Sequence, residues 1–122
     1  MTEPGGYVGG FLNVDLSQGE MEVERPSADL LRAFVGGYGL GARVVYERVP
    51  AGADALGPDN LLGLVTGPLT GTPALMASRY CAVGKSPLTG GWGDANSGGE
   101  FGPALKFAGY DAVFVRGTAD QP

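Results

Sequence analysis

"SRYCAVGKSPLTGGWGDANSGGEFGPALKFAGYDAVFVRG", residues 78–117, is the stretch on which the fold turns. Its two ends read as strands. Ser78 to Lys85 is an apolar run stopped by Ser86-Pro87, and Asp111 to Arg116 carries the β-favouring Val113-Phe114-Val115. Between them, the 26 residues from Ser86 to Asp111 hold seven glycines. Glycine at that density costs conformational entropy, so something must compensate for it. Ser97-Gly98-Gly99-Glu100 has the form of a capping box, and Phe101, Ala104, Leu105 and Ala108 follow at helical spacing. Pro103 either starts this helix or kinks it, and Gly109 ends it. Asn96 to Gly99 is therefore expected to present backbone N–H groups at a helix start, with almost no Cβ atoms in the way. Such a place suits an anion, worth about 0.3–1 kcal/mol at a helix terminus. It also suits the face of a flat ligand. A cluster of tight turns accounts for the glycines equally well.

Toward the N-terminus, Leu61 to Thr66 is another short apolar run, ended by Gly67-Pro68, and predicts a buried strand. Gly10 to Leu16 alternates loosely into the turn Ser17-Gln18-Gly19-Glu20. Met21 to Glu24 alternates cleanly, so the two form a predicted β-hairpin. Pro26-Ser27 opens a helix with Ser27 as N-cap and an apolar stripe of Leu30, Leu31, Phe34 and Val35, ended by Gly36-Gly37. A second helix over Leu40 to Arg48 follows that glycine-rich joint, and residues 50–60 form a loop.

Composition excludes several chemistries. A chain of 122 residues with 43% apolar side chains builds one core and is not disordered. It has no histidine and one cysteine, Cys81, which removes Ser-His-Asp hydrolysis, His-ligated zinc and any internal disulfide. The net charge of −5 argues against a nucleic-acid partner. The acids are unevenly placed: Leu61 to Gly93 contains none, only Arg79 and Lys85, so that stretch can receive a small anion. No apolar run is long enough to span a bilayer and no secretory signal is visible, which makes a cytoplasmic location the expectation.

Three motifs are weaker than they look. Gly37-Tyr38-Gly39-Leu40-Gly41-Ala42 fits the loose dinucleotide fingerprint, but a predicted helix precedes it where a strand is required. Gly84-Lys85-Ser86 ends like a P-loop, yet Arg79 stands where the first glycine belongs and Pro87 forbids the helix. Cys81 sits mid-strand as a buried thiol. Pro68-Leu69-Thr70-Gly71 recurs as Pro87-Leu88-Thr89-Gly90, and both copies read as strand exits.

TGPLTGTP (66–73), SRYCAVGKSPLTG (78–90) and GDANSGGEFGPALKFAGYDAVFVRG (93–117), in this order, resemble the N-terminal domain of the aldehyde ferredoxin oxidoreductase family. GGYVGGFLNVDLSQGEMEVE (5–24) resembles the family's first hairpin, and FVGGYGLGARVVYERVP (34–50) its helix joint, so the likeness covers nearly the whole chain. The resemblance implies an enzyme of tungsten, or molybdenum, held by two pterin cofactors whose phosphates are bridged by magnesium. Aldehydes are oxidised to carboxylic acids, and electrons pass through a 4Fe–4S cluster to ferredoxin. Arg79 matches the family arginine between pterin and cluster. Asn96 matches the residue whose main-chain carbonyl helps hold magnesium. Ser97, Gly98 and Gly99 match the backbone along the cofactor's edge.

The implied fold is α+β: a mixed, largely antiparallel sheet with a few short helices, residues 1–122 forming a single domain that is incomplete by the family's standard. The cluster cysteines and acid–base residues of the family lie beyond this chain. The remainder of the enzyme, or a partner subunit, must then supply them, and the chain alone should be inactive. A non-catalytic carrier or assembly module for the pterin cofactor is the alternative. An ordinary β-rich domain whose glycines serve only turns is the third reading.

Overall fold

The computed structural model describes residues 4–121. The predicted hairpin is present as β1 (Phe11–Asp15) and β2 (Glu20–Glu24), followed by α1 (Ala28–Phe34) and α2 (Gly37–Arg48). Then come β3 (Leu61–Thr66), β4 (Tyr80–Lys85), β5 (Trp92–Ser97), α3 (Phe101–Phe107) and β6 (Ala112–Arg116). The strands form one sheet in the order β2-β1-β6-β3-β4-β5. Only the β1–β6 pairing is parallel; the other four are antiparallel, so the sheet is mixed and largely antiparallel as expected. No helix among the described residues is long and apolar enough to cross a membrane.

Local chemistry explains the helix entry. The Leu30 N–H donates to Ser27 Oγ at 3.1 Å, which satisfies one of the orphan donors of α1. The joint after α1 is tighter than two glycines require. Val35 has φ 63° and ψ −66°, and the Gly36 N–H donates to Phe34 O at 2.7 Å. This is a γ-turn of the rarer hand on a β-branched residue, a strain of about 1–3 kcal/mol. Tyr7 holds it, its hydroxyl donating to Val35 O at 2.6 Å and Leu31 O at 3.3 Å.

Helix α2 starts three residues earlier than its apolar pattern predicts, because Gly37 and Gly39 serve as its first turn. Its buried Leu40, Val44 and Val45 pack on the sheet with Phe11, Leu61, Val65, Cys81, Val83, Ala112 and Phe114. Phe11 and Phe114 meet edge to face at 5.6 Å. The helix lies so close that a Cβ on Gly41 would stand 2.8 Å from Val83 Cγ2. A Cβ on Gly36 would stand 2.8 Å from the Thr66 carbonyl oxygen and 2.9 Å from Gly67 Cα. Both Gly36 neighbours are backbone and cannot swing aside. Gly36→Ala is therefore expected to destabilise the protein by about 1–3 kcal/mol through overpacking. A lowered urea midpoint at unchanged slope would show it.

The opposite face of the sheet is apolar but not buried. Val23, Leu12, Val113, Leu64, Ala82 and Ala95 pair in one row across all six strands. Met21, Val14, Val115 and Leu62 form a second row. Directly paired residues share a face, and every one of these ten is half-buried or exposed.

Two expectations fail around the glycine-rich stretch. Residues 92–97 form the edge strand β5, paired antiparallel to β4, where no strand was expected. The capping box does not form: α3 begins after Glu100, which makes no side-chain cap, and Ser97 Oγ donates to Gly98 O at 3.3 Å. Pro103 is the third residue of α3, inside the first turn, where its missing N–H costs nothing. The predicted face of α3 is also wrong. Its buried residues are Gly102, Leu105 and Lys106, while Phe101, Ala104 and Ala108 are exposed. The reason is a close approach at Gly102, where a Cβ would stand 2.9 Å from the Ser78 carbonyl oxygen and 3.0 Å from Thr70 Cγ2.

Candidate functional site

Arg79 lies one residue before β4, and strand alternation puts Arg79, Cys81 and Val83 on one face. Helix α2 crosses that face with Gly41 over Val83 and Gly37 over Cys81. Arg79 comes next along the same line, just beyond the start of the helix. Asn96, directly opposite Cys81 in β5, shares this face. Its Oδ1 accepts from Arg79 Nη1 at 2.7 Å, and its Nδ2 donates to Cys81 Sγ at 3.6 Å.

The main chain of Arg79 is fixed separately. Thr70 Oγ1 donates to Arg79 O at 2.9 Å and accepts from the Gly67 N–H at 3.1 Å. The two Pro-Leu-Thr-Gly turns are thus unequal. Thr70 is buried and anchors the arginine, whereas Thr89 is exposed and accepts only from Gly91 in its own turn.

Of the five residues singled out from sequence, the structure joins the Arg79 and Asn96 side chains. Ser97 pairs with Tyr80, so its hydroxyl points to the other face. Gly98 and Gly99 link β5 to α3. Gly99 needs its glycine for φ +88°. Gly98 does not: its φ is ordinary, and an added Cβ would meet only Ser78 Oγ, at a comfortable 3.7 Å. Among the described residues nothing accounts for the bare backbone there.

Sequence reasoning missed the rest of the surroundings. The first turn of α2, residues 36–39, has neither a side-chain cap nor an acidic residue. Its free N–H groups give a positive helix end facing the same space as Arg79. That space is a groove of about 610 Å³ between Val35–Gly39, residues 67–70, residues 75–77 and the Arg79–Cys81–Asn96 floor. Leu75 and Met76 on its wall are 96% and 85% exposed. Both non-glycine residues with positive φ, Val35 and Met76, line it. Strain of that kind concentrates at ligand sites. Gly37-Tyr38-Gly39-Leu40-Gly41-Ala42 was the available signal, set aside as a dinucleotide fingerprint because a helix precedes it.

Tyr38 leans over the floor. Desolvation pushes its phenol above the ordinary value; neighbouring Cys81 and Asp94 add to the rise, against a hydrogen bond with Asn96. Among the described residues no cluster of three or more His, Cys, Asp or Glu could hold a metal ion. The groove offers a positive, partly apolar surface with Gly36, Gly37, Gly39 and Gly67 among its lining.

Residues 11–122 match the family described as aldehyde ferredoxin oxidoreductase, N-terminal domain. Among curated relatives, the tungsten-containing aldehyde ferredoxin oxidoreductases of Pyrococcus furiosus and Thermococcus kodakarensis are 45% and 46% identical over 96% of this chain. A WOR-like subunit of an aliphatic sulfonate oxidoreductase from Pyrococcus furiosus is 38% identical over 95% of it. The chain spans 19% of the length of each of these relatives. Among solved structures, the active-site complex BamBC of benzoyl coenzyme A reductase superposes with a TM-score of 0.91 at 34% identity, covering 94% of this chain and 18% of that one.

Proposed function

Because the chain belongs to the aldehyde ferredoxin oxidoreductase N-terminal domain family, we propose that it is the platform on which a tungsten–pterin cofactor rests within a longer aldehyde-oxidising enzyme. The observation that carries this reading is the backbone at Gly98, left bare although no described residue requires it, next to Ser78 and so one residue from an arginine with spare donors. Arg79 makes one side-chain hydrogen bond among the described residues. Four of its five N–H groups are left for an acceptor on the cofactor, such as a phosphate or a pterin oxygen.

The residues present fit a flat, phosphorylated ligand. Gly98 and Gly99 would take its face, while Arg79 and the uncapped start of α2 would take its negative charge. The main-chain carbonyl of Asn96 would contribute to a magnesium between phosphates, which otherwise keeps oxygen ligands and waters. When bound, the tungsten centre supplies two-electron oxidation of an aldehyde to a carboxylic acid. This chain's part is to bind, orient and neutralise. Its one cysteine is buried in the core, so a 4Fe–4S cluster and the route to ferredoxin are assigned to other residues of the enzyme.

The apolar rows on the open sheet face support a larger assembly. Left uncovered, they are an association surface, and in the longer protein the rest of the polypeptide or a partner subunit would cover them. The relatives differ in what their names say they act on, an aldehyde, an aliphatic sulfonate or a coenzyme A thioester, although they share this domain. Choice of substrate is therefore placed outside it.

In the holoenzyme, Arg79→Ala is expected to lower tungsten per polypeptide about ten- to a hundredfold, the worth of one or two charge-assisted hydrogen bonds. Elemental analysis of the purified variant reads it out. A wild-type tungsten content would remove Arg79 from the platform.

A further inference from the structure

We propose that Cys81 and the Asn96 side chain form a positioning chain that holds the Arg79 guanidinium in one orientation toward the cofactor surface. The proposal rests on the platform reading for Arg79 and adds the device that aims it.

Arg79 is exposed, and a long exposed side chain samples several rotamers unless something fixes it. Its fixed contact is Asn96 Oδ1 at 2.7 Å. An arginine can only donate, so the asparagine must turn its carbonyl toward Arg79 and its NH₂ away. The NH₂ then needs an acceptor on the core side, and Cys81 Sγ at 3.6 Å is the one it meets. The thiol cannot move. Cys81 is buried, and the sulfur lies 3.3 Å from where a Cβ of Gly37 would stand, under the first turn of α2. Tyr38, next to Gly37 on that turn, lines the same groove as Cys81 and Asn96. One planar amide thus links a rigid core atom to a mobile surface cation. The sulfur serves as a hydrogen-bond acceptor, and no reactivity of the thiol is involved.

The test is the rate of tungsten release from the holoenzyme at a fixed temperature, measured for Cys81→Ala, Cys81→Ser, Arg79→Lys and the double variant Cys81→Ala/Arg79→Lys. Cys81→Ala removes the acceptor and is expected to speed release about three- to tenfold, the worth of one hydrogen bond. Cys81→Ser keeps an acceptor on a shorter bond, which the Asn96 amide must approach, and is expected to return the rate part of the way to wild type. In the Arg79→Lys background, Cys81→Ala is expected to add nothing, because residues acting through one group are non-additive. A serine variant as fast as the alanine variant, or independent multiplication of the two effects, overturns the positioning chain while leaving the platform intact. An Arg79→Lys enzyme that releases tungsten at the wild-type rate overturns the platform reading itself, and the chain with it.

Discussion

Asp111→Ala is expected to cost about 3–5 kcal/mol of folding stability, a large fraction of what a domain of this size possesses. Asp111 and Lys106 are a buried ion pair, with side chains 3% and 6% exposed and Nζ to Oδ1 at 2.7 Å. The carboxylate does more than neutralise the lysine. It accepts the Val8 N–H on both oxygens at 3.1 Å and the Gly9 N–H at 2.8 Å. Lys106 Nζ also donates to Gly6 O at 2.6 Å. One pair therefore fastens the segment before β1, the helix α3 and the entry to β6. Removing the acid leaves a buried ammonium and two backbone donors without partners. Lys106→Met should cost less, because the carboxylate keeps its backbone donors. Urea unfolding of the two variants gives the ranking, and an Asp111→Ala loss under about 1 kcal/mol would show that water replaces the pair.

Local chemistry made part of this legible in advance. Ser27 caps α1 because its hydroxyl and the N–H it accepts from are three residues apart. The first hairpin follows from alternation and a turn within fifteen residues. What the chain does at long range was hidden. Trp92-Gly93-Asp94-Ala95-Asn96-Ser97 has no apolar alternation and low strand propensity, and it is a strand only because β4 lies beside it. Lys106 reads as a surface residue until Asp111 and a segment a hundred positions away close over it. Val35, β-branched, is the last residue for which positive φ would be expected, and tertiary contact from Tyr7 enforces it.

The site was legible by a different route. Arg79, Asn96 and the glycines were identified by resemblance, and the structure brings the first two into contact. The pair's surroundings, Thr70, Cys81 and the start of α2 with Tyr38, come from three separate segments, so no local motif announces them. Gly98 and Gly99 look alike in sequence and differ in kind. Gly99 is required by its φ of +88°, whereas among the described residues nothing requires Gly98 to be glycine.

That difference provides the most direct test of the central claim, that bare main chain beside Arg79 is a bed for a flat cofactor. Gly98→Ala adds one methyl where the chain has room and where φ is ordinary. The variant is expected to keep the unfolding midpoint of the cofactor-free protein, and its holoenzyme to lose tungsten about ten- to a hundredfold, since a methyl forced into a close contact costs about 1–3 kcal/mol. A Gly98→Ala enzyme with both its unfolding midpoint and its tungsten content unchanged would contradict the account.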